Sequence, residues 1–443
     1  AFVSAGGVHH PNSVSRRRTA TWLAAGVAGL VALVGCGSSA SRSAASETGT
    51  LDVWLMKGSA PDSVVTAVTA DFNKIYPKVN VNVEIQNWSD VGTKLDTAFA
   101  GTTPPDVMEL GNTLVAKYGS SGALADLTSD KGSYPNSSTW LQSLTDSCTV
   151  NGKLYCVPYY AGTRAVIYRT DMFTSAGITA PPTSLDELAA DGAKLNAANS
   201  SDSQFSALYF PGKYWYAMLS YLWDNGGNIA TQSGTTWTGA LSTPASQAAI
   251  TSWAAQVKTL SKADKTGDEA KQDAAFAQGH IAMIIANGWE IGVITDPASG
   301  GDPTLKPKLG VFPLPSHTAG QTAPVFLGGS DLGIAKKSKH SQWAADWTKL
   351  MTGTTYQTQM VTVGGVIPNT TSLVSVQTDP LLKEFGIAAK NSRFVPNSPN
   401  WANVETANVI PNMMVAILTG QSSVADATKS ADTQIAQILN ASS

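Results

Sequence analysis

An α/β protein with two lobes is what this sequence predicts, on three observations. From Leu51 onward, segments of strand period and helix period alternate in the order strand, helix, strand, helix. The 443 residues, 43% hydrophobic and 14% charged, carry too much apolar material for a disordered chain and too much length for one small core. No stretch of roughly 20 to 50 residues repeats and no block of like charge interrupts the pattern, so a compact body is expected rather than an array.

The chain opens on an address. Ser15-Arg16-Arg17-Arg18 precedes an uncharged, mostly apolar run that closes at Leu33-Val34-Gly35-Cys36. That is the build of an export signal, and the run is shorter than the ~20 residues a bilayer-spanning helix needs. The last four residues resemble the lipobox of bacterial lipoproteins, which implies a signal over residues 1–35 and lipidation of Cys36. The arginine run also resembles a twin-arginine signal, but Thr19 stands where a large apolar residue should follow. Residues 36–50, rich in Ser, Ala and Thr, read as a flexible tether. From Cys36 onward 26 basic residues face 32 acidic ones, so no cationic face for a phosphate backbone is expected and nucleic acid is excluded as a partner.

The folded elements follow. Leu51 to Leu55 is a short apolar strand. Pro61 opens a helix with Val65, Val68, Phe72 and Ile75 on its inner face, and Pro77 stops it. Residues 79–86 alternate as a strand with one buried face. Ser89 caps a helix carrying Val91, Leu95 and Phe99, which ends at Gly101, and Asp106 to Leu110 is the next strand. Cys148 and Cys156 flank the turn signal Asn151-Gly152 and should pair in an exported chain. A two-residue turn would set Cys148 opposite Tyr155, so the bridge favours a three-residue loop with a Gly bulge, or another one-residue irregularity. Ser184 starts a helix, Gly226-Gly227 closes an aromatic-rich segment, and Phe276 to Ile285 runs from helix to strand. Leu309 to Leu314 and Val325 to Ile334 are strand-like, and Ser423 with Asp426 boxes the start of a last helix.

Signatures of catalysis and of cofactors are missing. His280, His317 and His340 are scattered without metal spacing, no phosphate loop or dinucleotide fingerprint occurs, and Gly328-Gly329-Ser330-Asp331-Leu332 lacks the closing Gly of a nucleophile elbow and reads as a structural turn. No cofactor, no metal and no enzymatic activity are expected. A pair of carboxylates across a cleft, as in a glycoside hydrolase, cannot be read from sequence and stays as the enzymatic alternative.

What the sequence offers instead is tryptophan. Trp88 follows the alternating strand, Trp289 follows Ala286-Asn287-Gly288, and Trp401 stands in a Pro- and Asn-rich segment, whereas Trp253, Trp343 and Trp347 sit at helical spacing and read as core. Loops at strand ends are where open α/β sheets bind ligands, and rings beside Asn, Glu and Arg suit a sugar, with its C–H faces and its hydroxyls.

The pieces Phe72-Asn73-Lys74-Ile75-Tyr76-Pro77, Pro105-Asp106-Val107, residues 122–128, 152–158, 167–173 and 276–283, and Trp289 occur in an order that resembles the extracellular solute-binding proteins of ABC importers, in particular the large carbohydrate-binding class that includes maltodextrin-binding proteins. The resemblance spans about Leu51 to Leu439. It implies a two-lobe periplasmic-binding-protein-like fold with hinges near Tyr160 to Arg164 and Phe326 to Gly329. Lobe 1 would hold residues 51–160 and 326–370, and lobe 2 would hold 161–325 and most of 371–443. It implies a carbohydrate ligand, an ABC permease as partner, and a monomer anchored by lipid to the outer face of the membrane. The expected ligand-binding residues are Lys57, Trp88, Asn112, Arg164, Tyr214, Trp215, Tyr216, Trp289, Glu290, Gly329, Ser330, Asp331 and Trp401. Some relatives carry Asp where this chain has Gly111, leaving Asn112, Arg164 or Asp331 as the polar anchor. A polyamine is the alternative solute, for which Glu109, Glu290 and Asp331 are the available carboxylates.

Overall fold

A computed structural model describes residues 43–88 and 90–442. The export signal, Cys36, the start of the tether and the expected Ser89 cap lie outside the described residues. Among those described, no helix is long and apolar enough to cross a membrane.

Two sheets organise the body. The first has six strands in the order Ile367–Pro368, Val157–Gly162, Gly328–Ile334, Val107–Gly111, Gly49–Met56 and Val79–Gln86. Gly49–Met56 runs parallel to both Val79–Gln86 and Val107–Gly111, and the crossovers between them are the helices Asp62–Ile75 and Val91–Ala100. The first helix buries Val64, Val68 and Phe72, a stripe one position from the expected one: Val65 is half-buried and Ile75 is 44% exposed. The helix ends at Ile75, and the inward position of the next turn falls to Tyr76, whose hydroxyl donates to Asp346. Val79–Gln86 is an edge strand, which explains why its strict alternation gives only one fully buried apolar side chain, Val79.

The second sheet has four strands, Leu309–Phe312, Arg164–Arg169, Ile281–Asn287 and Ser206–Tyr209. Its central strands are apolar without alternation: six consecutive residues from Ile281 to Ala286 are buried, as expected where both faces are covered. One cover is a large core built from Trp215–Asp224, Pro244–Leu260 and the C-terminal helices Val409–Leu418 and Val424–Leu439, with Trp253 fully inside. Side-chain caps start two of these helices and the helix Leu185–Ala198: Thr243 accepts from the Ser246 N–H, Ser423 from the Asp426 N–H, and Ser184 from the Glu187 N–H.

The chain passes between the sheets along paired strands. Val157–Gly162 belongs to the first sheet and Arg164–Arg169 to the second, with only Thr163 between them. The return segment Gly328–Ile334 lies antiparallel to Val157–Gly162, with Gly328 opposite Gly162 and Gly329 opposite Ala161. The strand expected over Val325 to Ile334 is present as Val325–Phe326 and Gly328–Ile334, so the turn expected from Gly328 to Leu332 is not formed, and the glycines serve the strand's close approach to a neighbour. A bulge between Ser330 and Asp331 shifts the register. Gly329 has φ +140, and a Cβ built there would lie 2.3 Å from the Tyr160 carbonyl oxygen.

Cys148 and Cys156 are bridged, with Cα atoms 5.0 Å apart. The turn corrects expectation. Asn151 and Gly152, both at positive φ, form a two-residue turn with Val150 opposite Lys153 and Thr149 opposite Leu154. Tyr155 N–H donates to the Cys148 carbonyl, so Cys148 does face Tyr155. The irregularity lies elsewhere: Cys148 is the last residue of the helix Gln142–Cys148, and the ladder stops at Leu154, which frees Cys156 to reach it. The expected tether is also shorter. Gly49 and Thr50 belong to the first strand, and Glu47 accepts a hydrogen bond from the Trp343 indole.

Candidate functional site

The strand ends next to the crossing carry most of the predicted residues. Arg164 begins its strand opposite Asn287, the last residue of the neighbouring one. Its Nε donates to the Tyr214 hydroxyl at 2.9 Å, which in turn donates to the Ile285 carbonyl at 2.8 Å. The guanidinium lies 4.6 Å from the centre of the Tyr216 ring. Tyr216 stacks at 4.0 Å on Trp215 and at 4.9 Å on Phe326, Phe326 lies over Phe394, and Trp215 meets Trp401 at 6.0 Å. The result is a row of five rings running from the helix Trp401–Thr406 to the crossing, with one cation on its flank.

Trp289 stands just beyond the end of strand Ile281–Asn287, at the start of the helix Glu290–Thr295, and is 66% exposed. No other large hydrophobic side chain among the described residues is so open. The next residue explains its placement. Glu290 is buried and folds back to accept from the Asn287 N–H at 2.6 Å and from Gln272 Nε2 at 2.9 Å, fixing the loop that presents the indole. Burial pushes the Glu290 carboxyl up to about 7 against the pull of these donors.

On the first sheet, Lys57 is exposed just past the end of Gly49–Met56, and Trp88, 45% exposed, follows Val79–Gln86. The Trp88 ring covers Gly111, where a Cβ would lie 3.4 Å from it. A carboxylate at 111 would displace this indole, so the glycine and the ring belong together. Asn112 is buried, and its Nδ2 donates to the Leu327 carbonyl at 2.9 Å, tying the end of strand Val107–Gly111 to the crossing. Beneath them Glu109 accepts from the Met56 N–H at 2.8 Å, the Ser59 hydroxyl at 2.7 Å and the Tyr160 hydroxyl at 3.3 Å, and burial raises its carboxyl to about 7.

The structure thus separates the predicted residues into two kinds. Lys57, Trp88, Arg164, Trp215, Tyr216 and Trp289 keep surface near the strand ends. Asn112, Tyr214, Glu290, Ser330, Asp331 and Trp401 are buried and engaged with the protein itself, and Gly329 acts through its backbone. Trp401 is the main departure. Its Pro-rich approach led to an expectation of an open ring, yet it starts a helix, is 1% exposed, and donates from Nε1 to Glu405 at 2.7 Å. Asp331 cannot anchor a ligand in this arrangement, because it is sealed behind the first sheet, accepts from Ser147 at 2.9 Å, and is held well above the usual carboxylate range by burial. It lies beside the two sulfurs of the disulfide, the single grouping of metal-ligand type among the described residues, whose sulfurs are already bonded to each other. Glu109, Glu290 and Asp331 each have separate partners and form no shared carboxylate cluster of the kind a polyamine requires. Sequence reasoning missed Gln272, Phe394 and Glu405, none of which stands in a motif. A Glu four residues after Trp401, on the same helix face, was the available signal for Glu405.

Comparison with known proteins places this geometry. Residues 57–358 match the family model described as bacterial extracellular solute-binding protein. The diacetylchitobiose-binding protein DasA of Streptomyces coelicolor is 34% identical over 384 residues, covering 86% of this chain and 87% of that one. Among solved structures, the GacH receptor of Streptomyces glaucescens, crystallised unliganded and with acarbose, superposes with a TM-score of 0.73 at 25% identity over 90% of this chain and all of that one. The sugar-binding protein MalE of Xanthomonas citri superposes with a TM-score of 0.77 at 22% identity over 88% of this chain and 97% of its own, which speaks for the fold. With two sheets joined by paired crossing strands and rings presented at the strand ends, the chain belongs to the bacterial extracellular solute-binding proteins.

Proposed function

We propose that this protein is the substrate-binding component of an ABC importer, capturing an oligosaccharide of chito- or cello-type by hinge closure and delivering it unaltered to a membrane permease. The observation that carries the reading is Trp289, an indole left 66% exposed by a loop that Glu290 holds in place. A large ring is kept in water only at a cost, and a sugar face is what would cover it. Direct contacts are assigned to Lys57, Trp88, Arg164, Trp215, Tyr216 and Trp289. Tyr214, Glu290, Asn112, Ser330, Asp331 and Trp401 support them from behind, and Gly329 serves the crossing.

Closure is a two-state motion: a ligand that touches both lobes only when they are shut shifts the population to the shut form. The lobe limits 51–160 with 326–370, and 161–325 with 371–443, belong to this reading, and the paired crossings near Tyr160 to Arg164 and Phe326 to Gly329 are its hinges, with a third link after Pro368. So do the export signal, the lipid at Cys36, a monomeric state and the permease partner. The relative that binds diacetylchitobiose supports the choice of chito-type sugars. The chain is proposed to do no chemistry.

A thermal-shift panel of oligosaccharides tests the proposal, since a ligand bound only by the native state raises the melting temperature. No shift with any sugar overturns it. Cleavage of a sugar during incubation would replace it with a glycoside hydrolase.

A further inference from the structure

The carbohydrate reading leaves open which polar groups take hold of the ligand, and the inference drawn here rests on that reading. Several polar side chains at the strand ends are already engaged, Asn112 with Leu327 and Glu290 with Asn287 and Gln272. Around the crossing others are not. Arg164 uses only its Nε, on Tyr214, and neither Nη group has a hydrogen-bond partner among the described residues. Asn287 stands opposite Arg164 across the antiparallel pair, which puts the two side chains on one face of the sheet, the face that meets the ring row. The Asn287 Oδ1 lies 4.0 Å from where a Cβ on Gly162 would stand, and its side-chain amide makes no hydrogen bond among the described residues.

Glu269 completes the set. Its carbonyl accepts from the Gln272 N–H at 3.0 Å at the start of the helix Gln272–Ala277. The loop before it is pinned to the approach of the aromatic helix: the Gly212 N–H donates to the Asp264 carbonyl at 3.0 Å and the Lys213 N–H to the Gly267 carbonyl at 2.9 Å. The fit is close, because a Cβ on Gly212 would fall 1.7 Å from the Lys265 carbonyl oxygen. The loop therefore holds Glu269 where its charge acts on Arg164, Tyr214 and Tyr216, yet it makes no ion pair with that guanidinium. The half-buried carboxylate is met only by its own backbone N–H; burial lifts it above its usual range, and Arg164 pulls it back. A cation and an anion that face the same rings without touching leave a gap, and the group that fills it must accept from one and donate to the other. A hydroxyl does both. A carboxylate there has no proton for Glu269 and is repelled by it, and an ammonium has no lone pair for Arg164 and is repelled in turn. We infer that Glu269 is a specificity-determining residue: with Arg164 it clamps a hydroxyl of an uncharged sugar ring lying on the aromatic row, with Asn287 beside them, and it turns away rings that carry a carboxylate or an ammonium.

Calorimetric titration of the full chain decides the matter with four β-1,4-linked disaccharides. Cellobiose and the disaccharide of N-acetylglucosamine are the uncharged probes; the disaccharide of glucosamine carries ammonium groups, and that of glucuronic acid and glucose carries a carboxylate. The parent should bind its better uncharged probe at least about tenfold more tightly than either charged one, as a site does when its charged groups are left mispaired. Glu269→Gln should weaken the uncharged probe about tenfold and leave the uronate no weaker, with the melting temperature of the free protein unchanged because the carboxylate holds no other residue. A Glu269→Gln affinity for the uncharged probe within about twofold of the parent's overturns the clamp and leaves the carbohydrate reading standing. So does an equal loss for uncharged probe and uronate with a lowered melting temperature, which marks a role in folding alone, or a uronate that the parent binds as tightly as the uncharged probe. Binding of none of the four overturns both readings. Should Glu269→Gln fail to fold, the parent's ranking of uronate against uncharged probe still decides.

Discussion

Neighbouring glycines at the crossing should answer very differently to the same small change. In Gly329→Ala the new methyl would stand 2.3 Å from the Tyr160 carbonyl oxygen and 2.9 Å from Ala161 Cα, with φ at +140. Both obstacles are backbone, so no side chain can swing aside. A non-glycine residue in so unpopulated a region costs about 1 to 3 kcal/mol. Relieving the clash means parting the ladder at Ala161 and Tyr160, about another 1 kcal/mol for each hydrogen bond lost. We expect Gly329→Ala to lose about 3 kcal/mol or more. At Gly328 the methyl would meet its nearest atom, the Gly162 carbonyl oxygen, at 3.5 Å, an ordinary contact at an unremarkable φ. Gly328→Ala should fall within about 1 kcal/mol of the parent, with reduced freedom of the unfolded chain working in its favour. Urea unfolding followed by tryptophan fluorescence measures both. Equal midpoints for the two variants, or a Gly329→Ala protein as stable as the parent, would refute the account of why glycine stands at 329.

Trp289→Ala should weaken oligosaccharide binding about thirtyfold or more, as loss of a ring that dominates a contact does, while the melting temperature of the free protein stays put because the indole packs on little; unchanged calorimetric affinity removes Trp289 from the site. Stability should rise as pH falls from about 7.5 to about 5.5. Glu109, Glu290 and Glu405, each raised by burial from 4.5 to about 7, bind a proton in the folded state across that interval and not in the unfolded one, so their contribution is complete below the unfolded value and lost above the folded one. Glu109→Gln, which keeps the acceptor for Met56 and Ser59, should lower this slope by about a third, and an unaltered slope of melting temperature against pH would show that Glu109 does not contribute to it. Opening the short loop closed by Cys148 and Cys156, by Cys156→Ser, should cost about 2 to 3 kcal/mol by the loop-entropy estimate, read as a lower denaturation midpoint with oligosaccharide affinity retained.

The order of strands and helices could be read in the sequence because glycines and prolines punctuate it, as at Pro61, Pro77, Gly101 and Gly226, and because capping residues such as Ser184 and Ser423 announce helix starts. The core role of Trp253 and Trp347, both fully buried, followed from helical spacing alone. What escaped was set by tertiary neighbours. Ile75 has the spacing of a core residue, but the helix ends there and the chain turns away, so Tyr76 takes the inward place. The glycine pair at 328 lies in a strand-like segment and also looks like a turn, and only the strand beside it decides between the two. Trp401 looks like a loop ring until the partner of its indole N–H, Glu405, is seen. Local pattern says which residues are rings or acids. Whether each meets solvent or another part of the chain depends on contacts hundreds of residues apart, such as Asn112 with Leu327.

Of the three polypeptide links that leave the first sheet, two do so as a hydrogen-bonded pair, Gly162 beside Gly328, and the third follows Ile367–Pro368. A two-stranded ribbon flexes readily perpendicular to its own plane and strongly resists sliding within it. The halves it connects should therefore travel along one easy arc, and guests of different length would halt them at different points of that arc without altering its direction.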